Sequence, residues 1–179
     1  MTRSPFATAC AAMLVAASVA TAQTPATQPK PAPPPALLDK MLGTWVLRGT
    51  VEGKQTTHDV DASWVLNKGY LRLHEISREK TAAGAPEYEA IVLMSWDPKA
   101  GEVLCLWLDT TSNAGLSGQG IGHAKPTATA LPIVITISPT VGFLNTMTYN
   151  ATANSWTWTM DELANGQKTP FARLTLTRK

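Results

Sequence analysis

From Gly43 onward, apolar and polar residues alternate along the chain, and a period of two is typical of β-strands with one buried face. Segments rich in β-branched and aromatic residues are separated by turn-forming sequences such as NKG at 67–69 and ANGQ at 164–167. The pattern predicts ten strands and almost no helix, with strands near 44–52, 56–66, 70–77, 87–96, 102–109, 113–123, 128–138, 142–150, 155–163 and 170–178.

The connections between these strands are short, which predicts that successive strands pair antiparallel in an up-and-down meander. An open meander of this length would expose two long strand edges, and closure of the sheet removes them. The sequence therefore predicts an all-β domain over residues 37–179, a closed antiparallel up-and-down β-barrel of about ten strands.

Alternation also predicts which side chains point into the barrel. In the strand at 56–66, for example, Val60, Trp64 and Leu66 share one face, opposite Asp59 and Asp61. The strands at 70–77 and 102–109 carry apolar residues on both faces, so their inward face stays open. The inward residues predicted to line a ligand site are His58, Trp64, Tyr88, Met94, Trp96, Phe143, Met147 and Trp158.

The residues before the barrel predict export. Arg3 precedes an apolar, alanine-rich run, and Ala20-Thr21-Ala22 forms an A-x-A cleavage site before Gln23, so residues 1–22 are predicted to be a signal peptide. Residues 23–36 contain six prolines and are predicted to form an extended linker. The following ALLDKM is predicted to form a short helical turn that covers one end of the barrel. We expect the mature protein in the periplasm or outside the cell.

Composition and charge narrow the classes of partner. The chain has 179 residues, 44% of them hydrophobic, which suits one domain with a sizeable core. Its 15 Lys and Arg nearly balance 13 Asp and Glu without a basic run, so nucleic acid is not an expected partner. No basic amphipathic helix is predicted, so we expect no membrane insertion after signal cleavage. The oligomeric state stays open.

Cysteine and histidine usage gives little support to a chemical centre. Cys10 falls within the signal, so Cys105 has no partner for a disulfide, and its apolar surroundings predict a buried structural thiol. The spacing of His58, His74 and His123 matches no zinc signature, and no metal site is predicted. No catalytic residue is assigned, since no nucleophile elbow is present.

Trp45 lies at the start of the first strand, in Gly43-Thr44-Trp45. In a barrel with an even number of antiparallel strands, the last strand ends beside the start of the first, so Arg178, or alternatively Arg173, is expected to lie over the Trp45 ring as a cation–π contact. This arrangement resembles the lipocalin-like (calycin) superfamily, in which a G-x-W tryptophan stacks against an arginine from a late strand. The resemblance implies that Trp45 and Arg178 plug one end of the barrel.

The wider layout resembles a family of small exported bacterial proteins of unknown function with lipocalin-like barrels. The resemblance rests on LGTW, then LNKGYL, then SWDPKAGE, and covers roughly residues 37–178. LGTWVLRGTVEG also resembles the start of haem-binding barrels of the nitrobindin type. Those proteins use a Tyr-Pro at the end of the first strand and an iron-ligating histidine near the C-terminus, whereas no histidine follows His123 here. No cofactor, haem included, is therefore expected.

Three functions remain open from the sequence. The favoured one is binding of a small apolar or amphipathic molecule inside the barrel, with His58 helping to orient it. The second is an enzyme of isomerase or hydratase type that transfers protons through His58 or through His74 and Glu75. The third is a barrel filled by its own side chains, with a structural or interaction role.

Overall fold

The computed structural model describes residues 33–111, 115–118 and 120–179. Residues 1–22, predicted to be the signal peptide, and residues 23–32 of the predicted linker lie outside this part. Within it, the chain forms one short α-helix, one 3₁₀ turn over Gly115–Gly118 and ten strands. The helix is α1 (Ala36–Asp39), and the strands are β1 (Gly43–Val51), β2 (Lys54–Val65), β3 (Tyr70–Ser77), β4 (Glu89–Asp97), β5 (Glu102–Asp109), β6 (Ile121–Ala124), β7 (Ala130–Ser138), β8 (Val141–Asn150), β9 (Ser155–Ala164) and β10 (Gln167–Arg178).

The strands form a closed antiparallel barrel in which each strand pairs with its neighbours in sequence and β10 returns to β1. The closing pair runs from Trp45 opposite Arg178 to Val51 opposite Ala172. This pairing leaves the sheet without an open edge. The predicted all-β, up-and-down barrel of ten strands is confirmed.

The sixth strand differs from its prediction. We expected a strand over 113–123, but the described residues place a 3₁₀ turn at Gly115–Gly118 and a strand only at Ile121–Ala124. Glycine has no side chain to pack on a pleated surface and weakens a strand. Gly122 allows the Ile133 side chain of β7 to pack closely against β6, because a Cβ at position 122 would lie 2.6 Å from Ile133 Cγ2.

The closed barrel fixes the inward faces that the sequence left open. On β3 the buried residues are Leu71, Leu73, Glu75 and Ser77, and on β5 Val103 and Cys105 are buried. Leu66, expected to face inward, lies instead beyond the end of β2 at a positive φ of 50° and is 76% exposed. The strand ends there, so its alternation no longer applies.

One half of the barrel is packed solid. The α1 residues Leu37 and Leu38, together with Met41, are buried against Trp45 at the end where β1 begins. The space around Trp45, bounded by residues such as Trp156 and Leu176, holds no room for a water molecule. The open space of the barrel therefore lies toward the opposite end, where the β1–β2 turn is found.

Candidate functional site

A cavity of about 730 Å³ occupies the end of the barrel away from α1. One wall is polar and comes from β2 to β5 with their loops, and the other is apolar and comes mainly from β7 to β10. The polar wall includes Thr56, His58, Glu75, Ser77, Tyr88, Trp107 and Asp109, and the apolar wall includes Val51, Ile135, Phe143, Met160, Phe171 and Leu174. A cavity of this kind suits a molecule with one polar and one apolar side.

His58 and Glu75 form a buried pair in the polar wall. His58 is at an inward position on β2 and Glu75 at an inward position on the adjacent β3, and both residues are at most 5% exposed. His58 Nδ1 is in hydrogen-bond contact with Glu75 Oε1. Buried ionisable groups need such partners, because an unpaired charge in the interior is costly.

The second ring nitrogen of His58 is engaged as well. Its Nε2 lies 2.6 Å from Thr56 Oγ1, while the Thr56 hydroxyl donates to Glu79 Oε2 at 3.1 Å. Burial alone would raise the pKa of Glu79, but hydrogen bonds from its own backbone, Thr56 and the Thr57 amide outweigh it and hold the pKa below its usual value. The Glu79 carboxylate is therefore ionised near neutral pH and accepts the one hydrogen bond that the Thr56 hydroxyl can donate. His58 Nε2 must then donate to Thr56.

Tyr88 covers the His58–Glu75 pair. Its ring stacks on the His58 imidazole with centroids 5.6 Å apart, and its hydroxyl accepts a hydrogen bond from Trp107 Nε1 at 3.0 Å. The loop after β3 sets this position, because the Tyr88 amide donates to Ser77 Oγ. Burial, followed by the nearby charges of Glu75 and Asp109, raises the pKa of Tyr88. The phenol therefore stays neutral.

Asn145 is the polar residue of the opposite wall. It lies on β8 between Ile133 of β7 and Met160 of β9, lines the cavity and is 4% exposed. Its Oδ1 has no hydrogen-bond partner among the described residues. A buried acceptor without a partner is uncommon in folded proteins. The Oδ1 atom is enclosed by protein atoms and does not face the cavity.

Charged residues stand at the mouth of the cavity. Lys54, at the start of β2, reaches Glu87 with Nζ 2.6 Å from Oε2, and Glu52 lies in the β1–β2 turn. Asp109, at the end of β5, accepts hydrogen bonds from the Thr111 amide and hydroxyl. Among the described residues at the opening, acidic groups therefore outnumber basic ones.

The eight predicted ligand residues divide between the two halves of the barrel. His58, Tyr88 and Phe143 line the cavity. Met94, Met147 and Trp158 are fully buried in the core, and Trp158 packs against Trp107 with ring centroids 5.4 Å apart. Trp64 and Trp96 pack at the edge of the same core, and Trp64 Nε1 donates to Asp39 of α1. These five residues do not line the cavity. The prediction failed for them because alternation shows which face of a strand a residue lies on, but not how far along the barrel it lies.

Several cavity residues were not singled out as ligand contacts from the sequence. Glu75 shares a face with Leu71 and Leu73, but the strand carries apolar residues on both faces, so this signal was ambiguous. Asn145 could have been found from the sequence, because it is a polar residue at an inward position among the apolar or aromatic Phe143, Met147 and Tyr149 of the same strand. Trp107 and Asp109 depended on the inward face of β5, which only the closed sheet fixes.

The other end of the barrel holds Trp45. The ring is 1% exposed, its Nε1 donates to the Met41 carbonyl at 2.6 Å, and Arg178 Cζ lies 3.8 Å from the ring centroid. Gly43 adopts a φ of +107°, and a Cβ at this position would lie 2.5 Å from Arg178 Nη1. The glycine thus leaves the space through which the arginine reaches the ring. Arg173 instead pairs with Asp161.

Other candidate chemical groups lie apart from the cavity. His74 points outward, with Nε2 2.7 Å from Glu89 Oε1, and His123 contacts Glu102. Cys105 is buried, and burial raises the pKa of its thiol to about 12. Within the described ranges, no three His, Cys, Asp or Glu side chains group as metal ligands would, and no helix is long and apolar enough to span a membrane.

Comparison with known proteins supports the fold. Rv2717c from M. tuberculosis, known from a crystal structure, is similar with a TM-score of 0.55 and 17% sequence identity over 84% of this chain and 99% of that chain. At this identity the likeness concerns the barrel architecture alone. No family model matches the sequence, and no curated protein matches it.

Proposed function

We propose that this protein is an exported binding protein whose barrel takes up a small amphipathic molecule. The observation that carries the proposal is the cavity of about 730 Å³, which has a polar wall around His58 and Glu75 and an apolar wall around Phe143 and Phe171. Ligand sites in proteins commonly measure about 300–1,000 Å³ and combine apolar lining with a few placed polar groups. The predicted signal peptide at 1–22 supports the export part of the proposal.

We further propose that the barrel belongs among the lipocalin-like proteins. Support comes from the Gly43-x-Trp45 sequence at the start of β1 and from Arg178 of the last strand, which lies over the Trp45 ring. These features stabilise the packed end and leave the opposite end free to form a cavity.

Binding is favoured over the two alternatives. A proton-transfer enzyme needs a base with a free acceptor directed at its substrate. Both nitrogens of His58 are occupied, by Glu75 and by Thr56, and His74 points away from the cavity. The alternative of a barrel filled by its own side chains fits the half around Trp45, which has no room for a water molecule, but not the half around His58, which contains the cavity.

An uncharged environment-sensitive dye such as Nile red tests the proposal. We expect it to bind with one site per chain and to gain fluorescence, because burial of apolar surface contributes roughly 25 cal/mol per Å². Met160→Trp places an indole in the cavity and should weaken dye binding by tenfold or more. Thr157→Trp, on the exposed face of the same strand, is the matched control and should bind as the unchanged protein does.

Two results would count against this function. One is the absence of saturable dye binding by the folded protein. The other is equal dye binding by Met160→Trp and the unchanged protein, which would place the dye outside the cavity.

A further inference from the structure

We infer that the cavity binds uncharged carbonyl compounds, such as ketones, esters and amides, whose oxygen accepts a hydrogen bond from the Asn145 side chain. This inference rests on the proposed function, because it assigns a chemical class to the molecule bound in the same cavity. Three features of the lining lead to it: a free amide donor, charged groups that are already engaged, and an apolar surface beside the donor.

The first feature is the side-chain nitrogen of Asn145. The residue lines the cavity and is 4% exposed. Its Oδ1 is enclosed by protein atoms, whereas Nδ2 is accessible and has no hydrogen-bond partner among the described residues. Ile133 and Met160, paired with Asn145 on the neighbouring strands, have side chains without an oxygen acceptor. Because an amide nitrogen donates and a donor in apolar surroundings is costly without a partner, the ligand group beside Asn145 is an acceptor.

The second feature is the pairing of charged groups in the polar wall. His58 contacts Glu75, and Lys54 contacts Glu87 with Nζ 2.6 Å from Oε2. These are the two basic side chains among the described residues that line the cavity. A ligand carboxylate would therefore leave water without finding an unpaired cation, at a large cost in desolvation.

The remaining carboxylates of the lining offer no better partner to a ligand cation. Asp109 accepts hydrogen bonds from the Thr111 amide and hydroxyl, and Glu52 is exposed to solvent in the β1–β2 turn. An ammonium group would exchange its hydration for carboxylates that are already engaged or solvated. The lining therefore favours an uncharged ligand over an ion of either sign.

The third feature is the apolar surface beside Asn145. Phe143 lies two residues earlier on the same strand, and its ring packs edge to face with Phe171, with centroids 5.4 Å apart. Aromatic rings pack well on other aromatic rings. A ligand whose carbonyl reaches Asn145 therefore has its apolar or aromatic body against these two rings.

Four probes with similar phenylalkyl bodies test the inference on the full chain: 4-phenyl-2-butanone, butylbenzene, 3-phenylpropionate and 3-phenylpropylammonium. Their affinities are measured at neutral pH by displacement of Nile red. We expect the ketone to bind at least tenfold more tightly than either ion, because neither ion finds a free counter-ion in the cavity.

A variant links the ketone to Asn145. Asn145→Leu removes the donor, and it should lower ketone affinity about fivefold, the effect of losing one hydrogen bond between uncharged groups. Butylbenzene, which has no acceptor, should bind this variant at least as tightly as it binds the unchanged protein. Thr146→Leu, on the outward face of the same strand, is the matched control and should leave both affinities unchanged.

A measurement on the unchanged protein keeps the test valid if Asn145→Leu fails to fold. The ketone is labelled with ¹³C at its carbonyl, and the infrared stretching band of the bound molecule is compared with that of the same ketone in hexane. We expect a lower frequency in the protein, because a hydrogen bond to the oxygen weakens the carbonyl bond.

The outcomes separate the inference from the proposed function. Either ion binding as tightly as the ketone, with Nile red bound normally, would overturn the carbonyl assignment and leave the binding function standing. The assignment would also be overturned by unchanged ketone affinity in folded Asn145→Leu, by equal losses for ketone and butylbenzene, or by a carbonyl frequency equal to that in hexane. If neither the dye nor any probe binds, the proposed function itself fails.

Discussion

At the scale of single residues, the packed end of the barrel depends on three positions that act together. Trp45 fills the core and donates to the Met41 carbonyl, Arg178 lies over its ring, and Gly43 provides the space for the arginine. The tryptophan is fully buried, whereas the arginine is exposed. The two side chains should therefore contribute unequally to stability.

Trp45→Ala is expected to lower the free energy of unfolding by about 3–5 kcal/mol, the range for large aromatic residues truncated in a core. Arg178→Ala should cost only about 0.5–2 kcal/mol, since a cation–π contact is worth that much. Urea denaturation followed by circular dichroism measures both. Equal and negligible losses would show that Trp45 is not an essential part of the core.

At the scale of elements, β3 contributes to one buried and one surface histidine–glutamate pair. Glu75 faces the interior and pairs with the buried His58, while the neighbouring His74 faces outward and pairs with Glu89 at the surface. Both pairs join a histidine and a carboxylate from adjacent strands. Their burial differs, so the energetic consequences of breaking them should differ too.

His58→Leu should destabilise the protein by about 3–5 kcal/mol, because it leaves the Glu75 carboxylate buried without its partner. Adding Glu75→Leu should recover part of this loss, since replacing a whole buried pair by apolar groups is often nearly neutral. His74→Ala is the control and should cost less than about 1 kcal/mol. These values come from the midpoints and slopes of urea denaturation.

The opposite ranking, with His74→Ala more harmful than His58→Leu, would contradict the inward assignment of β3. A double variant that is no more stable than His58→Leu alone would instead mean that packing, not the lost partner, accounts for the cost.

At the scale of the whole molecule, the interior of the barrel is divided between a packed core and an open cavity. The half covered by α1 is closed by Trp45 and filled by residues such as Met94 and Met147, and the other half contains the cavity of about 730 Å³. Filling one half provides the core that a domain without a disulfide needs. The other half contains the buried Asn145, whose Oδ1 has no hydrogen-bond partner among the described residues.

Export is a further prediction at this scale. The A-x-A site before Gln23 predicts that the mature protein begins at Gln23 and carries no lipid. N-terminal sequencing and intact-mass measurement of protein from a periplasmic or culture-medium fraction check this. An uncut Met1 terminus in that fraction, or a lipid attached to Cys10, would contradict the prediction.

Much of the fold follows from local sequence. A period of two with turn signals predicts strands wherever side chains pack on a pleated surface, and nine of the ten predicted strands overlap their observed counterparts closely. The glycine-rich stretch that contains Gly115 and Gly122 is where this reasoning failed, because glycine carries no side chain to show a period. The turn at 97–101 follows its local chemistry, since Asp97 accepts the amides of Lys99 and Ala100.

The sequence by itself determined nine of the ten strands, most of their inward faces and the meeting of Trp45 with an arginine of the last strand, since these depend on alternation and on the parity of an antiparallel barrel. The structure selects Arg178 over Arg173 for this contact. Only the tertiary structure decided which inward residues line the cavity and which fill the core. Depth along the barrel depends on strand register and on α1 covering one end, neither of which alternation encodes. For the same reason His58, Glu75 and Asn145 meet around one cavity only after β10 has closed on β1.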